Sequence, residues 1–327
     1  MNIKIIPESV KLLRLSDEEY FSDTYKDYIS NSSLSLLDPA NNGSIKKFLD
    51  GYKNDYSESF ELGSAVHLEC LQKGEYKIID IDKPTSKLGV FSEKLYDLRK
   101  KGLPIYKAIQ EASIQANYYA NKLNDKKIKN ALTQLLPYYL QRLELPEDNY
   151  VILPSRLYEK YTMMMKSINS NKKFLAKLNP NDEFKDNVKI YNEYAILCEI
   201  DIDGRIIKFK GKLDNFTVDE ENKKITLNDL KTTGKPINYF MGNYIYKENG
   251  ERQWYNGSFQ RYNYYRQLAV YLILLKKALP QYSDYSYNCN MLVVEALPDY
   301  KSDIFKVSLK HLQQGLEEFK NLLKLVP

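Results

Sequence analysis

Hydrophobic residues recur at helical spacing over much of the first half of the chain. Between residues 59 and 71 the apolar positions lie three and four residues apart, which predicts a helix, and Lys73-Gly74 supplies its stop. Residues 85 to 180 show the same periodicity, interrupted at Gly102-Leu-Pro104 and at three later prolines. This stretch predicts four or five helices. Shorter helical signals occupy residues 29 to 50.

The pattern changes to alternating apolar and polar residues near residue 189. Residues 189–198 and 206–216 alternate on either side of Asp201-Ile-Asp-Gly204, a turn signal, and together they predict a β-hairpin. A third strand is predicted over 224–231, followed by a loop rich in Gly, Asn and Tyr over 234–258. The remaining predicted elements are a long helix, a strand and a closing helix, over 260–279, 286–297 and 307–325.

This order of elements predicts a mixed α/β fold, with a central sheet flanked by helices. Three antiparallel strands precede a helix, a strand and a helix, and a helical region is inserted between the first core helix and the sheet. We expect one domain made of four parts: an N-terminal helical and loop segment (1–54), a first core helix (55–75), a helical insertion (76–183) and the core sheet with its helices (184–327).

Composition and charge are those of a soluble globular protein. Hydrophobic residues make up 43% of the chain and charged residues 28%. The 48 Lys and Arg exceed the 43 Asp and Glu by five, which permits an anionic partner without requiring one. No apolar run approaches the ~18 to 20 residues of a membrane helix, and the start lacks the features of a secretory signal. The three cysteines have no metal-site spacing. We expect a cytoplasmic protein.

Two acidic motifs at the ends of neighbouring predicted strands carry the clearest chemical signal. Gly211-Lys-Leu-Asp214 ends the second strand, and Asp229-Leu-Lys231 ends the third. Residues two apart on a strand face the same way, so Asp229 and Lys231 should point together. Paired carboxylates bind a hard divalent cation, and a nearby ammonium can orient an attacking water, which suits phosphodiester hydrolysis. The alternative is that these are turn-flanking acids beside a solvated lysine.

Two helical positions add to this pattern. His67, one of two histidines, lies in Gly63-Ser-Ala-Val-His67 on an otherwise apolar helix. Imidazole is a common metal ligand beside carboxylates, although a histidine on an apolar face is more often a core residue with one hydrogen bond. Gln267 and Tyr271 lie four residues apart and share a helix face after the third strand. Alone, that spacing is common in amphipathic helices.

Taken in order, these motifs resemble the PD-(D/E)XK nuclease superfamily, and within it the RecB and RecE branch. The nearer likeness is to the exonuclease VIII group of phages and prophages. The opening Ile29-Ser-Asn-Ser-Ser-Leu34 is similar to that group's Ile-Ser-x-Ser-x-Leu. The remaining matching motifs are Gly63-x-x-x-His67, Gly211-Lys-Leu-Asp214, Asp229-Leu-Lys-Thr-Thr233 and Gln267-x-x-x-Tyr271. The resemblance implies a restriction-endonuclease-like core within the predicted α/β fold.

The resemblance also implies a role for each motif residue. Asp214 and Asp229 would hold Mg²⁺ or Mn²⁺, with the Leu230 carbonyl as a further ligand and His67 completing or supporting the metal shell. Lys231 would position the nucleophilic water and offset charge on the scissile phosphate. The four cysteines of the related iron-sulfur nucleases are absent, so no cluster is expected.

Other residues are predicted to bind the substrate. The resemblance implies that Gln267 and Tyr271 contact nucleic acid or brace the site, and that Glu193 is the glutamate of the first strand. Alternate lysines on the second strand lead toward Asp214 and predict a path for phosphates: Lys208, Lys210 and Lys212. The alternative is a solvated strand face.

The function implied is a metal-dependent DNA exonuclease acting in phage-type recombination or DNA processing. Two rivals stay open: a structure-selective or single-strand nuclease of the same superfamily, and a non-catalytic DNA-binding or assembly protein with the nuclease fold. The resemblance implies DNA as the partner and allows two more, a single-strand annealing protein and further copies of the chain.

Overall fold

The structure is a computed structural model that describes residues 2–51, 57–82, 84, 86–118, 124–145, 149–180, 188–247 and 249–327. The chain divides into two compact units. Residues 1–73 and 161–327 form the first, which contains the central sheet, and residues 74–160 form the second.

The described part of the chain contains both β-strands and α-helices. The strands are β1 (Ile3–Ile5), β2 (Lys11–Arg14), β3 (Lys77–Asp80), β4 (Tyr150–Leu153), β5 (Val188–Ile202), β6 (Arg205–Asp219), β7 (Lys224–Thr233), β8 (Asn243–Tyr246), β9 (Arg252–Tyr255), β10 (Ser286–Glu295) and β11 (Ser302–Lys306). The α-helices are α1 (Asp17–Tyr20), α2 (Asn31–Ser35), α3 (Ile45–Asp50), α4 (Glu58–Leu71), α5 (Ser86–Lys100), α6 (Ile105–Gln115), α7 (Asp125–Leu143), α8 (Ser155–Ser170), α9 (Lys172–Leu178), α10 (Ser258–Arg261), α11 (Tyr264–Ala278) and α12 (Leu309–Leu323).

A seven-stranded sheet forms the centre of the first unit, in the order β1-β5-β6-β7-β10-β11, with β2 also paired to β5. Neighbours are antiparallel except β7 and β10, which run parallel because α10 and α11 carry the chain between them. The predicted α/β class is confirmed as a central, mostly antiparallel sheet flanked by helices. The predicted hairpin is confirmed as β5 and β6, which extend beyond the alternating residues at both ends.

The core of this unit lies between the sheet and the helices α11 and α12. Fully buried residues from three strands and both helices meet there, including Phe216, Leu227, Met291, Leu268 and Leu323. On β7, side chains at alternate positions face opposite sides of the sheet. Asp229 contacts Gln267 of α11, whereas its neighbour Asn228 contacts the carbonyl of Lys177 in α9. Asp229, a candidate site residue, and Asn228, which contacts α9, therefore lie on opposite faces of β7.

Four asparagines, three of them buried and Asn192 partly buried, form a ladder across the sheet. Asn192, Asn215, Asn228 and Asn290 are register partners on β5, β6, β7 and β10. Each amide bonds to the next: the N–O distances are 2.7 Å, 2.7 Å and 2.9 Å. The last two carbonyls of α9 accept from Asn228 and Asn215, at 2.9 Å and 3.2 Å. Residues 172–178 thus belong to the sheet unit, although the sequence placed them in the helical insertion.

The structure adds strands where the sequence predicted helix and loop. β1 and β2 lie in the N-terminal segment, β3 and β4 pair within the insertion, and β8 and β9 form a hairpin in the predicted loop. The predicted helix over 260–279 is divided into α10 and α11, because Asn263 adopts a left-handed conformation with φ of 54°. The described residues between 86 and 178 include five α-helices, within the predicted four or five, together with β4.

Candidate metal and catalytic site

The candidate site lies where β6 and β7 separate. The backbone pairing of β6 with β7 ends at Asn215 and Asn228. The next residues toward the site, Asp214 and Asp229, therefore lie just beyond the last paired residues of the two strands. The backbone of Leu230 then bonds to a side chain, because its N–H donates to Asp214 Oδ2 at 2.8 Å. The two acidic motifs predicted to converge are therefore neighbours at this opening.

Asp229 and Lys231 form an ion pair at this opening, as two same-facing residues of one strand can. Lys231 Nζ lies 2.7 Å from Asp229 Oδ2 and 3.6 Å from Asp214 Oδ2, and it donates to the Leu230 carbonyl at 3.2 Å. Gln267 Nε2 donates to Asp229 Oδ1 at 2.9 Å. Asp229 is only 2% exposed, so β7 and α11 together fix its carboxylate.

The charges of this pair follow from burial and from each other. Burial would lower the pKa of Lys231, but the carboxylates of Asp214 and Asp229 outweigh it and raise that pKa. Lys231 is therefore a cation at neutral pH, suited to offset negative charge rather than to remove a proton. Burial raises the pKa of Asp229 to about 7, with Lys231 opposing the rise and Asp214 adding to it.

His67 reaches the same opening from α4. Its Nδ1 lies 3.9 Å from Asp214 Oδ2. Burial lowers the pKa of His67, with Asp214 opposing, which favours the neutral ring that a metal ligand requires. The helix can approach β7 because Gly63 lacks a side chain: a Cβ there would lie 3.1 Å from Thr232 Oγ1.

Glu193 enters the site from β5 in an unusual backbone conformation. Its φ is 58°, which is uncommon for a non-glycine residue and costs about 1–3 kcal/mol. Its carboxylate pairs with Lys212, which pairs in turn with Asp17 of α1. Burial raises the pKa of Glu193 to about 7, and the nearby Asp214 adds to the rise. Glu193 thus lies in the opening close to Asp214 and His67.

Three of these side chains are placed to share a cation. Ligand atoms of His67, Glu193 and Asp214 lie within 4.8 Å of one another. Carboxylate oxygens with one imidazole nitrogen suit Mg²⁺ or Mn²⁺, and a divalent cation would balance the negative charge that crowds this opening. The donor set therefore fits a divalent metal. The structure adds Glu193 to the predicted ligands.

The other two predicted ligands, Asp229 and the Leu230 carbonyl, already contact protein groups. Lys231 lies against Asp229 and donates to the Leu230 carbonyl. The Asp229 carboxylate and the Leu230 carbonyl oxygen both border the opening. Their role as metal ligands stays a prediction.

Gln267 and Tyr271 differ in what they contact. Gln267 holds Asp229, whereas Tyr271 is buried and packs on Gly211, one turn of helix further along. Of the two roles predicted for Tyr271, this position favours bracing over contact with nucleic acid, because the ring tethers α11 to β6 beside Asp214.

The three lysines predicted to bind phosphates are not equally free. Lys208 is exposed, with Nζ 5.7 Å from the ring centre of Tyr28. Lys210 is 9% exposed and donates to the Tyr20 carbonyl at 2.9 Å, and Lys212 is paired with Asp17 and Glu193. The segment around α1 thus covers part of the predicted phosphate path, and Lys208 is its accessible member.

Two site residues were missed by the sequence analysis. The ring of Tyr264 lies 5.4 Å from Lys231 Nζ, on the same face of α11 as Gln267 three residues later. That spacing was visible in the sequence. Asp17, which holds Lys212, is 195 residues away along the chain, and no local pattern marks it.

We expect His67→Ala to lower cleavage strongly and to shift the melting temperature by only ~1–2 °C. The His67 side chain is 27% exposed, so its loss should cost little stability, whereas a metal ligand is needed for activity. Melting temperature and specific activity should be measured on one preparation. A large fall in melting temperature with near-normal specific activity would identify a core histidine instead.

We expect Gly211→Ala to destabilise the fold by about 1–3 kcal/mol and to reduce cleavage, because the new Cβ would lie 2.3 Å from Tyr271 Cε1. Gly234→Ala is the matched control, since no atom lies within 4 Å of a Cβ at Gly234. Urea denaturation measures both. Equal stability of the two variants would show that Tyr271 moves aside without cost.

Comparisons with known proteins give distant likenesses. No protein-family model matches the sequence, and no curated protein matches it. None of the described helices combines the length and apolar composition needed to span a membrane. The fold is similar to that of a solved "Putative exonuclease" from Eubacterium rectale, with a TM-score of 0.46 and 12% identity over 96% of this chain and 87% of that chain. A second solved structure, SSO0001, has a TM-score of 0.25 and 16% identity over 52% and 69% of the two chains. Both likenesses are too distant to carry a function across, so the site itself must support one.

Proposed function

We propose that this chain is a divalent-metal-dependent DNA exonuclease that hydrolyses phosphodiester bonds. The observation that carries the proposal is the convergence of Asp214, Asp229 and Lys231 where β6 and β7 separate. These residues, with His67 and Glu193, support a metal-dependent phosphodiesterase. The motif resemblance supports the narrower parts of the proposal: DNA as substrate, cleavage from an end, and a role in phage-type recombination or DNA processing.

The chemistry divides between the metal and the chain. A bound Mg²⁺ or Mn²⁺ would polarise the phosphate and make a water more acidic. His67, Glu193 and Asp214 would hold it. The Lys231 ammonium can donate to the attacking water and offset charge on the phosphate, because its proton is retained at neutral pH.

Asp229 and Gln267 keep this ammonium in place. The Asp229 carboxylate lies 2.7 Å from Lys231 Nζ, and Gln267 restrains its other oxygen at 2.9 Å. A group fixed in this way loses little further entropy when the substrate arrives. The buried pair therefore supports a catalytic role for Lys231 rather than that of a solvated surface charge.

The deciding experiment uses end-labelled linear DNA and closed circular DNA, each with Mg²⁺ or with EDTA. Degradation of linear DNA alone, abolished by EDTA, is the expected result. Cutting of the circle would indicate an endonuclease of the same chemistry, and binding without cleavage would indicate a non-catalytic DNA-binding protein. Asp229→Asn protein, purified in the same way, controls for a contaminating nuclease.

A further inference from the structure

The hairpin of β8 and β9 presents an aromatic and cationic face that the proposed chemistry does not use. Tyr244 pairs with Trp254 and Tyr246 pairs with Arg252, so these four side chains share one face of the two-stranded ribbon. We call this the stacking face. All four residues are exposed, and Tyr246 is 74% exposed. Aromatic rings left this open in a soluble protein mark a binding surface.

The rings of the stacking face are arranged against one another. The Arg252 guanidinium lies 3.6 Å from the ring centre of Tyr244, and Trp254 meets Tyr244 edge to face at 5.0 Å. Trp254 packs over Gly242, where a Cβ would lie 2.3 Å from the indole, and its Nε1 donates to Asn256 Oδ1 at 2.8 Å. The indole is therefore held by its neighbours while 45% of the residue stays exposed.

The root of the hairpin is fixed beside the candidate site. Gln260 bonds to both ends of the hairpin, donating to the Met241 carbonyl at 2.7 Å and accepting from the Gly257 N–H at 3.2 Å. Next to that root, Phe240 stacks on Tyr264 with ring centres 6.1 Å apart. The Tyr264 ring lies 5.4 Å from Lys231 Nζ. Two stacked rings thus connect the hairpin root to the site.

We propose that the stacking face binds the unpaired bases of a DNA strand that enters or leaves the candidate site; this rests on the proposed function. Aromatic rings with an adjacent arginine are the combination that stacks on nucleobases independently of sequence. Among the four described residues that define the stacking face, Arg252 carries the charge, and a cation suits a polyanion. Paired bases keep their π faces inside the duplex, so the fitting ligand is single-stranded DNA.

Trp254 provides a direct test, because it is the single tryptophan of the chain. Wild-type protein in EDTA is titrated with an oligothymidylate, with an abasic oligonucleotide of the same length, and with a blunt duplex. The expected result is saturable quenching of tryptophan emission by oligothymidylate, and little quenching by the abasic strand or the duplex. Fluorescence anisotropy of labelled strands measures binding in parallel.

Variants separate stacking from folding. Trp254→Ala and Tyr244→Ala should each weaken oligothymidylate binding ~10-fold and leave binding of the abasic strand unchanged, since one stacked base is lost. Trp254→Phe should restore most of the affinity, because a ring is retained. Tyr106→Ala is the matched control, an exposed tyrosine of α6.

The outcomes distinguish the two proposals. Binding of oligothymidylate with unchanged Trp254 emission, or equal quenching by the abasic strand, overturns the stacking role and leaves the nuclease proposal intact. Absence of both DNA binding and Mg²⁺-dependent cleavage overturns both.

Discussion

Asp214→Asn and Asp229→Asn should each reduce Mg²⁺-dependent cleavage by ~10²–10³-fold or more. Each change replaces an anionic oxygen with a neutral amide at a site where negative charge is concentrated to hold a cation. Asparagine has nearly the same shape as aspartate, so the fold should be retained. The rate of release of a labelled nucleotide from linear DNA measures the effect.

Metal affinity is the second measurement on these variants. Calorimetry with Mn²⁺ should show weaker binding in both, and more so for Asp214→Asn, because Asp214 lies in the cluster with His67 and Glu193. Asp284→Asn is the matched control: Asp284 is an exposed acid whose ion pair with Lys223 contains no residue of the candidate site. Unchanged Mn²⁺ binding in both site variants would contradict the metal assignment.

Lys231→Met should lower cleavage by ~100-fold or more while DNA binding is retained. Methionine keeps most of the side-chain volume but removes the ammonium that lies between Asp214 and Asp229, so the charge on the phosphate is no longer offset. Single-turnover cleavage and anisotropy of labelled DNA should be measured on the same protein.

The control for this variant is Lys223→Met, which removes an exposed ammonium paired to Asp284. Surface pairs of this kind contribute little to stability, so Lys223→Met should behave as wild type. Cleavage by Lys231→Met at a rate near that of Lys223→Met would mean that the water-positioning role is wrong. Thermal melts of both variants ensure that rates refer to folded protein.

Local periodicity predicted the parts of the site that depend on neighbours in sequence. Alternation placed Asp229 and Lys231 on one face of a strand, and the position of Asp214 at the end of the neighbouring predicted strand placed it beside them. The helical face that carries Gln267 was predicted in the same way. A repeat of two or about four residues is enough to predict which side chains of one strand or one helix share a face.

Contacts between distant segments were beyond such patterns. Lys210 was predicted to lie on an open strand face. Its ammonium instead donates a hydrogen bond to the carbonyl of Tyr20, 190 residues away along the chain. Glu193 was predicted as the site glutamate of the first strand, but its positive φ depends on the tertiary surroundings and was not predicted. The β8–β9 hairpin was predicted as loop because neither of its faces is buried, so no alternation of apolar and polar residues marks it.

The asparagine ladder has a consequence for how faithfully the site assembles. Asn192, Asn215 and Asn228 are each the immediate chain neighbour of a site acid, namely Glu193, Asp214 and Asp229. A slip of one residue in strand pairing would exchange these faces, placing a carboxylate against the carbonyl end of α9 and an amide in the opening. Since α9 offers only acceptors there, the misregistered sheet would bury an unsatisfied negative charge. The asparagine ladder therefore disfavours misregistered sheets, which would be compact but would lack the arrangement of acids in the candidate site.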